Sequence, residues 1–233
     1  MFIGHFAVGF AAKKYAPRTP LVLLLAAPLL ADLLWPIFLL VGWEHVRIDP
    51  GNTKFTPLDL YHYPWSHSLL MDCVWASVFA LLYYAIARYG PGAVAIWIGV
   101  LSHWILDWIT HRPDMPLYPA GPRVGLGLWN SVAGTLAVEF AMFAAGVWIY
   151  MRTTRARDRI GTYAFGTYVG FLLAAYVSDR FGGPPPNVPT LIWSAIIAEV
   201  VLILWAWWFD AHRDRRDPIP TTTPTLLSVG SAL

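Results

Sequence analysis

The sequence predicts an all-α fold: a polytopic transmembrane helical bundle with about six spans and a short N-terminal helix. Three observations carry this. Charged residues make up 13% of the chain and apolar residues 57%, where a soluble domain carries about 25% charge. Mean hydropathy is +0.52, more apolar material than one core in 233 residues hides without lipid. Thirteen Trp and eleven Tyr suit the aromatic belts at the two membrane interfaces. The net charge of +2 gives no basis for a nucleic-acid partner, and the single Cys73 excludes an intrachain disulfide or thiolate cluster.

A span needs roughly 20 apolar residues. Residues 21–41 are expected to form the first. Their apolar run continues past 30 without a small-residue cleavage site, which favours a retained span over a removable signal. Residues 69–88 and 93–110 are the second and third, joined by a turn at Gly90-Pro91-Gly92. Residues 126–150, 163–177 and 190–209 complete the set, and residues 2–15 form a short, partly inserted helix. Residues 1–216 are read as a single membrane-embedded domain. Residues 217–233, rich in Pro and Thr, are expected to be a disordered tail.

Basic residues orient the bundle. Lys13, Lys14 and Arg18 precede the first span, Arg88 ends the second, four arginines lie between 152 and 159, and Arg213, Arg215 and Arg216 follow the last. Six alternating spans put all of these on one side, which the positive-inside rule makes cytoplasmic, with the C-terminus. The segments 43–68 and 111–125 then lie outside.

Ionisable groups inside spans cost a few kcal/mol each, so they are functional candidates by default. Here they are His5, Asp32, His103, Asp107, Glu139 and Glu199. His103 and Asp107 are four apart and share one helix face, with His111 a further turn on. Imidazole nitrogen with carboxylate oxygen suits zinc, and also manganese or iron. The structural alternative is a buried His–Asp hydrogen bond between helices. Asp32 lies fourteen residues beyond Arg18, Asp107 nineteen beyond Arg88, and Glu139 thirteen before Arg152, roughly 20–28 Å from the basic end at 1.5 Å per residue. Three spans and the N-terminal helix, through His5, can therefore converge on one polar pocket. His67 stands at the mouth of the second span, with Ser68 as a helix N-cap and Ser66 as a second choice. His62 lies in the aromatic loop before it. Arg112 suits an anionic group such as phosphate, or snorkels to a headgroup. Asp114 coordinates, or caps a turn.

On Gly4-His5, Pro28-x3-Asp32, Ser66-His67-Ser68-Leu69-Leu70 and His103-x3-Asp107 with Thr110, the chain resembles the YdjM-like, LexA-binding inner-membrane proteins, a group assigned to metal-dependent hydrolases. The resemblance covers roughly the first half. It departs from the group's pattern in having only Asp32 after the first-span proline, and Trp65-Ser66 before His67-Ser68. In chain order, His5, Asp32, His67, His103-x3-Asp107, His111 and Glu139 are also similar to the zinc-dependent phospholipase C and P1 nuclease group, an analogy that favours phosphoester chemistry.

The expectation is a metal-dependent hydrolase of the inner membrane, open to the outer face and acting on a lipid or lipid-linked phosphoester. His5, Asp32, His67, His103 and Asp107 are expected to hold a divalent ion, zinc before manganese or iron. Glu139 or Asp114 is the expected general base, and Arg112, His111 and His62 the expected substrate contacts. The alternative is an ion- or proton-coupled transporter or channel using the same His/Asp cluster. A non-catalytic scaffold is a third reading.

Overall fold

The computed structural model describes residues 1–216, so the expected tail at 217–233 lies outside the described residues. The fold is helical: α1 (Ile3–Ala12), α2 (Leu21–Ala26), α3 (Leu30–Leu40), a single turn α4 (Pro64–His67), α5 (Leu69–Ala87), α6 (Gly90–Thr110), α7 (Val132–Thr153), α8 (Arg159–Phe181) and α9 (Val188–Asp210). The five from α5 to α9 are each long and apolar enough to cross a membrane.

The expected first span is corrected: it is two short helices, α2 and α3, separated around Pro28. Proline has no N–H to give the preceding turn and its ring clashes with the carbonyl four residues back. The turn between the second and third spans also moves. Arg88 takes the left-handed conformation (φ 49°) that ends α5, and Gly90-Pro91-Gly92 forms the first turn of α6, where a proline's missing N–H costs nothing. The fourth span starts later than expected, at Val132, capped by Ser131. Ser68 caps α5 as expected, accepting from the Met71 amide at 3.4 Å.

The short apolar helix α1 is deeply placed. Seven of the ten residues of α1 are buried, including Ile3, Phe6 and Phe10, which join Phe143 and Tyr150 of α7 and Phe165, Tyr168 and Leu172 of α8 in one apolar core. Two glycines let it sit there. A Cβ on Gly146 of α7 would strike the backbone of Ala7, and one on Gly9 would strike Leu24 and Leu25.

Basic residues gather at one end. Lys13 pairs with Asp210 at 2.9 Å, the Arg18 guanidinium lies over Tyr89, and a two-stranded ribbon joins β5 (Thr154–Ala156) to β6 (Arg213–Arg215). At the opposite end, β1 (His45–Ile48) and β2 (Leu58–His62) form an antiparallel hairpin, beside the short pair β3 (Met115–Pro116) and β4 (Arg123–Val124). Val46, Leu60, Tyr63 and Met115 pack with Trp35 and Trp104. The loops at this end are thereby fastened to α3 and α6.

Candidate metal centre

Asp107 is the hub. Its Oδ1 lies 3.1 Å from His5 Nε2 and contacts the Met1 amino group. Its Oδ2 lies 3.2 Å from His103 Nε2, 3.4 Å from His111 Nε2 and 4.0 Å from His67 Nε2. Asp32 Oδ1 stands 3.5 Å from His67 Nε2 and 3.9 Å from His103 Nε2. Four imidazoles from α1, α4 and α6 thus turn their Nε2 atoms toward two carboxylates from α3 and α6. The rings of His5 and His103 stack with centroids 4.1 Å apart.

Hydrogen bonds on the far side of three of these rings determine which nitrogen is free. The Nδ1 of His103 lies 2.8 Å from the Pro28 carbonyl oxygen. A carbonyl only accepts, so Nδ1 carries a proton, and in the neutral ring the lone pair is on Nε2. His67 Nδ1 lies 2.6 Å from Ser66 Oγ, and Ser66 Oγ lies 2.6 Å from Glu44 Oε2. The carboxylate takes the single hydroxyl hydrogen, so the hydroxyl accepts from His67 Nδ1–H. His111 Nδ1 donates to Asp114 Oδ1 at 3.0 Å.

That third arrangement is electrostatically settled. Burial acts to raise the Asp114 carboxyl, but hydrogen bonding and charge from His111, then bonds from Arg112 and Tyr63, outweigh it and hold the group below its ordinary value. Burial first, then Asp114, pushes the Tyr63 phenol well above its ordinary value, and its hydroxyl donates to Asp114 at 3.0 Å. For His111 burial acts to lower the imidazole, yet Asp107 and Asp114 raise it.

The residues fit a divalent ion. His103 Nε2 is fully buried and has no hydrogen-bond partner among the described residues. Two sets, His5–His103–Asp107 and Asp32–His67–His103, each bring their ligand atoms within 4.8 Å of one another, close to the ~4 Å that two metal–ligand bonds span. His103 belongs to both.

All five residues expected to ligate a metal are therefore brought together. His111, expected at the substrate, stands among them instead, because the helix turn after Asp107 aims its Nε2 inward. Asp114 is placed behind His111 and not in the cavity wall. Arg112 is turned away from the cluster, its guanidinium bonded to Asp59 at 2.5 Å and to Asp114 at 3.1 Å. His62 lies on β2, stacked on His45 across the hairpin, and does not line the cavity. Glu139 Oε2 accepts from the amides of Phe2 at 2.8 Å and Gly4 at 3.2 Å, which serves two of the unpaired N–H groups at the start of α1. Its Oε1 is buried and unpartnered among the described residues.

Two residues escape a reading of the sequence. Glu44 lies in a loop, outside every span, and only the folded chain shows it behind Ser66. Asp72 should have been found, since it is a carboxylate within an expected span. It is fully buried in the first turn of α5, near the positive end of the helix dipole, and neither oxygen has a partner among the described residues.

A cavity of about 440 Å³ opens beside the cluster. Asp32, His67, Asp107, His111 and Glu139 line one wall, the β1–β2 hairpin covers an end through Phe55 and Leu58, and α8 and α9 form the far side. Glu199 also lines it.

Residues 1–182 match the model of a family described as YdjM inner membrane protein, and the chain belongs to that family. No curated protein and no solved structure matches it.

Proposed function

We propose that this member of the YdjM inner membrane protein family is a metal-dependent hydrolase whose site lies within the membrane portion of the chain, acting on a lipid-borne or lipid-linked phosphoester. The observation that carries the reading is the orientation of three imidazoles: His67, His103 and His111 each have Nδ1–H held by an acceptor and Nε2 turned to the Asp32–Asp107 pair. Helix cross-linking alone needs no such common direction.

His5, Asp32, His67, His103, Asp107 and His111 would hold a divalent ion, which would supply Lewis-acid activation of water and of the substrate oxygen. Zinc suits this donor set, as do manganese and iron. The chain's own groups do the rest. Pro28, Ser66 with Glu44, and Asp114 keep the imidazoles in the tautomer and direction that binding requires. Glu139 lines the cavity, where a carboxylate takes up a proton from water. The hairpin and the apolar walls restrict bulk water.

The break at Pro28 suits ion translocation in principle. Here the Pro28 carbonyl is occupied by His103, which supports a fixed site over a conduction path. The basic end is proposed to be cytoplasmic, with the C-terminus on that side. Protease or reporter tagging of the C-terminus tests it.

The decisive measurement is metal content of detergent-purified protein, wild type against His103→Ala/Asp107→Ala. Bound metal in the wild type and its loss in the double variant are expected. A wild type without metal after growth in metal-replete medium overturns the reading. Metal without turnover of any phosphoester moves the assignment to the transporter.

A further inference from the structure

The cavity extends well past the metal cluster, and its far wall has a composition that the chemistry at the cluster does not require. On α9, Leu191, Ala195, Ala198 and Leu202 line it, at helical spacings that make one continuous face. Opposite them on α8 stand Phe171 and Ala175. Both helices are membrane spans by length and composition.

Aromatic pairs join the two helices toward one end of this face. Phe165 meets Phe209 with ring centroids 5.4 Å apart, Tyr168 meets Trp205 at 5.5 Å, and Phe171 meets Trp205 at 5.7 Å. Beyond that last pair the small side chains of Ala175, Ala195 and Ala198 face the cavity and leave a gap between α8 and α9. Ser194 and Ala198 are exposed there although they line the cavity. The gap therefore opens sideways, at the depth of the spans. Glu139, a buried carboxylate, lines the same cavity on the side of the cluster.

We infer that this gap is a lateral entry for a membrane amphiphile, whose single apolar chain lies along the Leu191–Leu202 face of α9 while its polar head reaches the His/Asp cluster. The inference rests on the proposed hydrolase reading for the identity of the head's partner. The occupant follows from the chemistry of the walls. The strip between α8 and α9 is apolar apart from Asp179, Ser194 and Glu199, and a volume of about 440 Å³ is within the range of sites for small ligands. A soluble substrate would not need an opening toward lipid. No Lys or Arg is among the described lining residues, so an anionic head is held at the cluster and nowhere along the chain's path.

The test is photolabelling of the full chain, reconstituted in phosphatidylethanolamine/phosphatidylglycerol vesicles, with a single-chain phosphoamphiphile carrying a diazirine in its acyl tail. Mass spectrometry then maps the adducts. Label is expected on Ala195, Ala198, Leu202 and Phe171, and Ala198→Trp should reduce it at least about fivefold. Ile197→Trp, on the lipid-facing side of α9 (60% exposed), should leave it unchanged. Excess unlabelled amphiphile should compete the cavity label away without any substitution, which keeps the test valid if the tryptophan variant misfolds. Label spread evenly over the outward faces of α9, insensitive to competitor, overturns the inference. Metal content is read on the same samples. Cavity labelling without metal sinks the hydrolase reading and leaves the chain site standing, whereas metal without cavity labelling sinks the chain site alone.

Discussion

The His103 side chain of α6 and the Pro28 carbonyl, in the break between α2 and α3, are joined by a hydrogen bond of 2.8 Å. A residue that interrupts one helix thereby aligns an imidazole on another. The break leaves an acceptor inside the bundle, and the buried ring nitrogen requires one. Pro28→Ala should let α2 and α3 join and withdraw that carbonyl into a helical bond. Metal affinity, measured by competition with a chelator, should fall about 10- to 100-fold, the usual cost of losing such a support. An unchanged affinity would show that the bond does not orient the ring.

Glu44→Gln tests the second support. Glu44 accepts from the amides of Trp65 and Ser66, both at 2.8 Å, and from the Ser66 hydroxyl. In the amide, an N–H₂ group replaces the oxygen facing that hydroxyl and donates to it. The hydroxyl hydrogen then turns to His67 Nδ1 and shifts the ring proton to Nε2, the atom that faces the cluster. Size and shape are kept, so the fold should be retained while metal affinity drops about 10- to 100-fold. The tautomer is readable from the ¹⁵N shifts of the His67 ring in the metal-free protein. Identical shifts in the two proteins would rule this relay out.

The seating of α1 predicts a contrast between two glycines. Gly146→Ala places a methyl group against the Ala7 backbone and should destabilise the protein by about 1–3 kcal/mol, the cost of overpacking. It should also lower metal content, because α1 carries His5. Gly166→Ala on α8 meets open space and should be neutral or gain up to about 1 kcal/mol from helix propensity. Thermal unfolding in detergent distinguishes the two. Equal midpoints would mean that α1 does not pack as described.

At the basic end, Asp158 caps α8 by accepting from the Gly161 amide at 2.9 Å and pairs with His212 at 2.6 Å. The Gly161 bond first, then His212, holds its carboxyl below the ordinary value. A carboxyl lowered by folding adds stability in full above its unfolded value, about 3.9. That part is lost as pH falls through the lower folded value. Asp158→Asn keeps a capping oxygen but cannot titrate. The stability difference between wild type and variant should shrink on acidification through this window and be flat above about pH 5. A difference that stays constant through the acid range would show that the cap bond, and not the charge, matters.

Much of the bundle was legible in the chain because a bilayer leaves few choices: long apolar runs must be helices, and their basic ends must share a side. The convergence of His5, Asp32, His103, Asp107 and Glu139 was legible for a related reason, since helical rise converts distance along the chain into depth. Depth does not give direction around a helix axis or the path of a loop. That is why Glu44, distant in sequence and outside every span, was invisible. It is also why spacing alone does not show that the folded chain holds Arg112 in ion pairs with Asp59 and Asp114 and His62 at the exposed edge of the hairpin.

The sequence by itself determined the helical membrane class, the family pattern and the set of side chains too costly to bury without purpose. Tertiary structure decided how they are used. The break at Pro28 and the loop carrying Glu44 select the nitrogen that His103 and His67 present, and the seating of α1 against Gly146 brings His5 to the same cluster. That selection depends on hydrogen bonds between elements far apart in the chain, which only packing brings within 3 Å of one another.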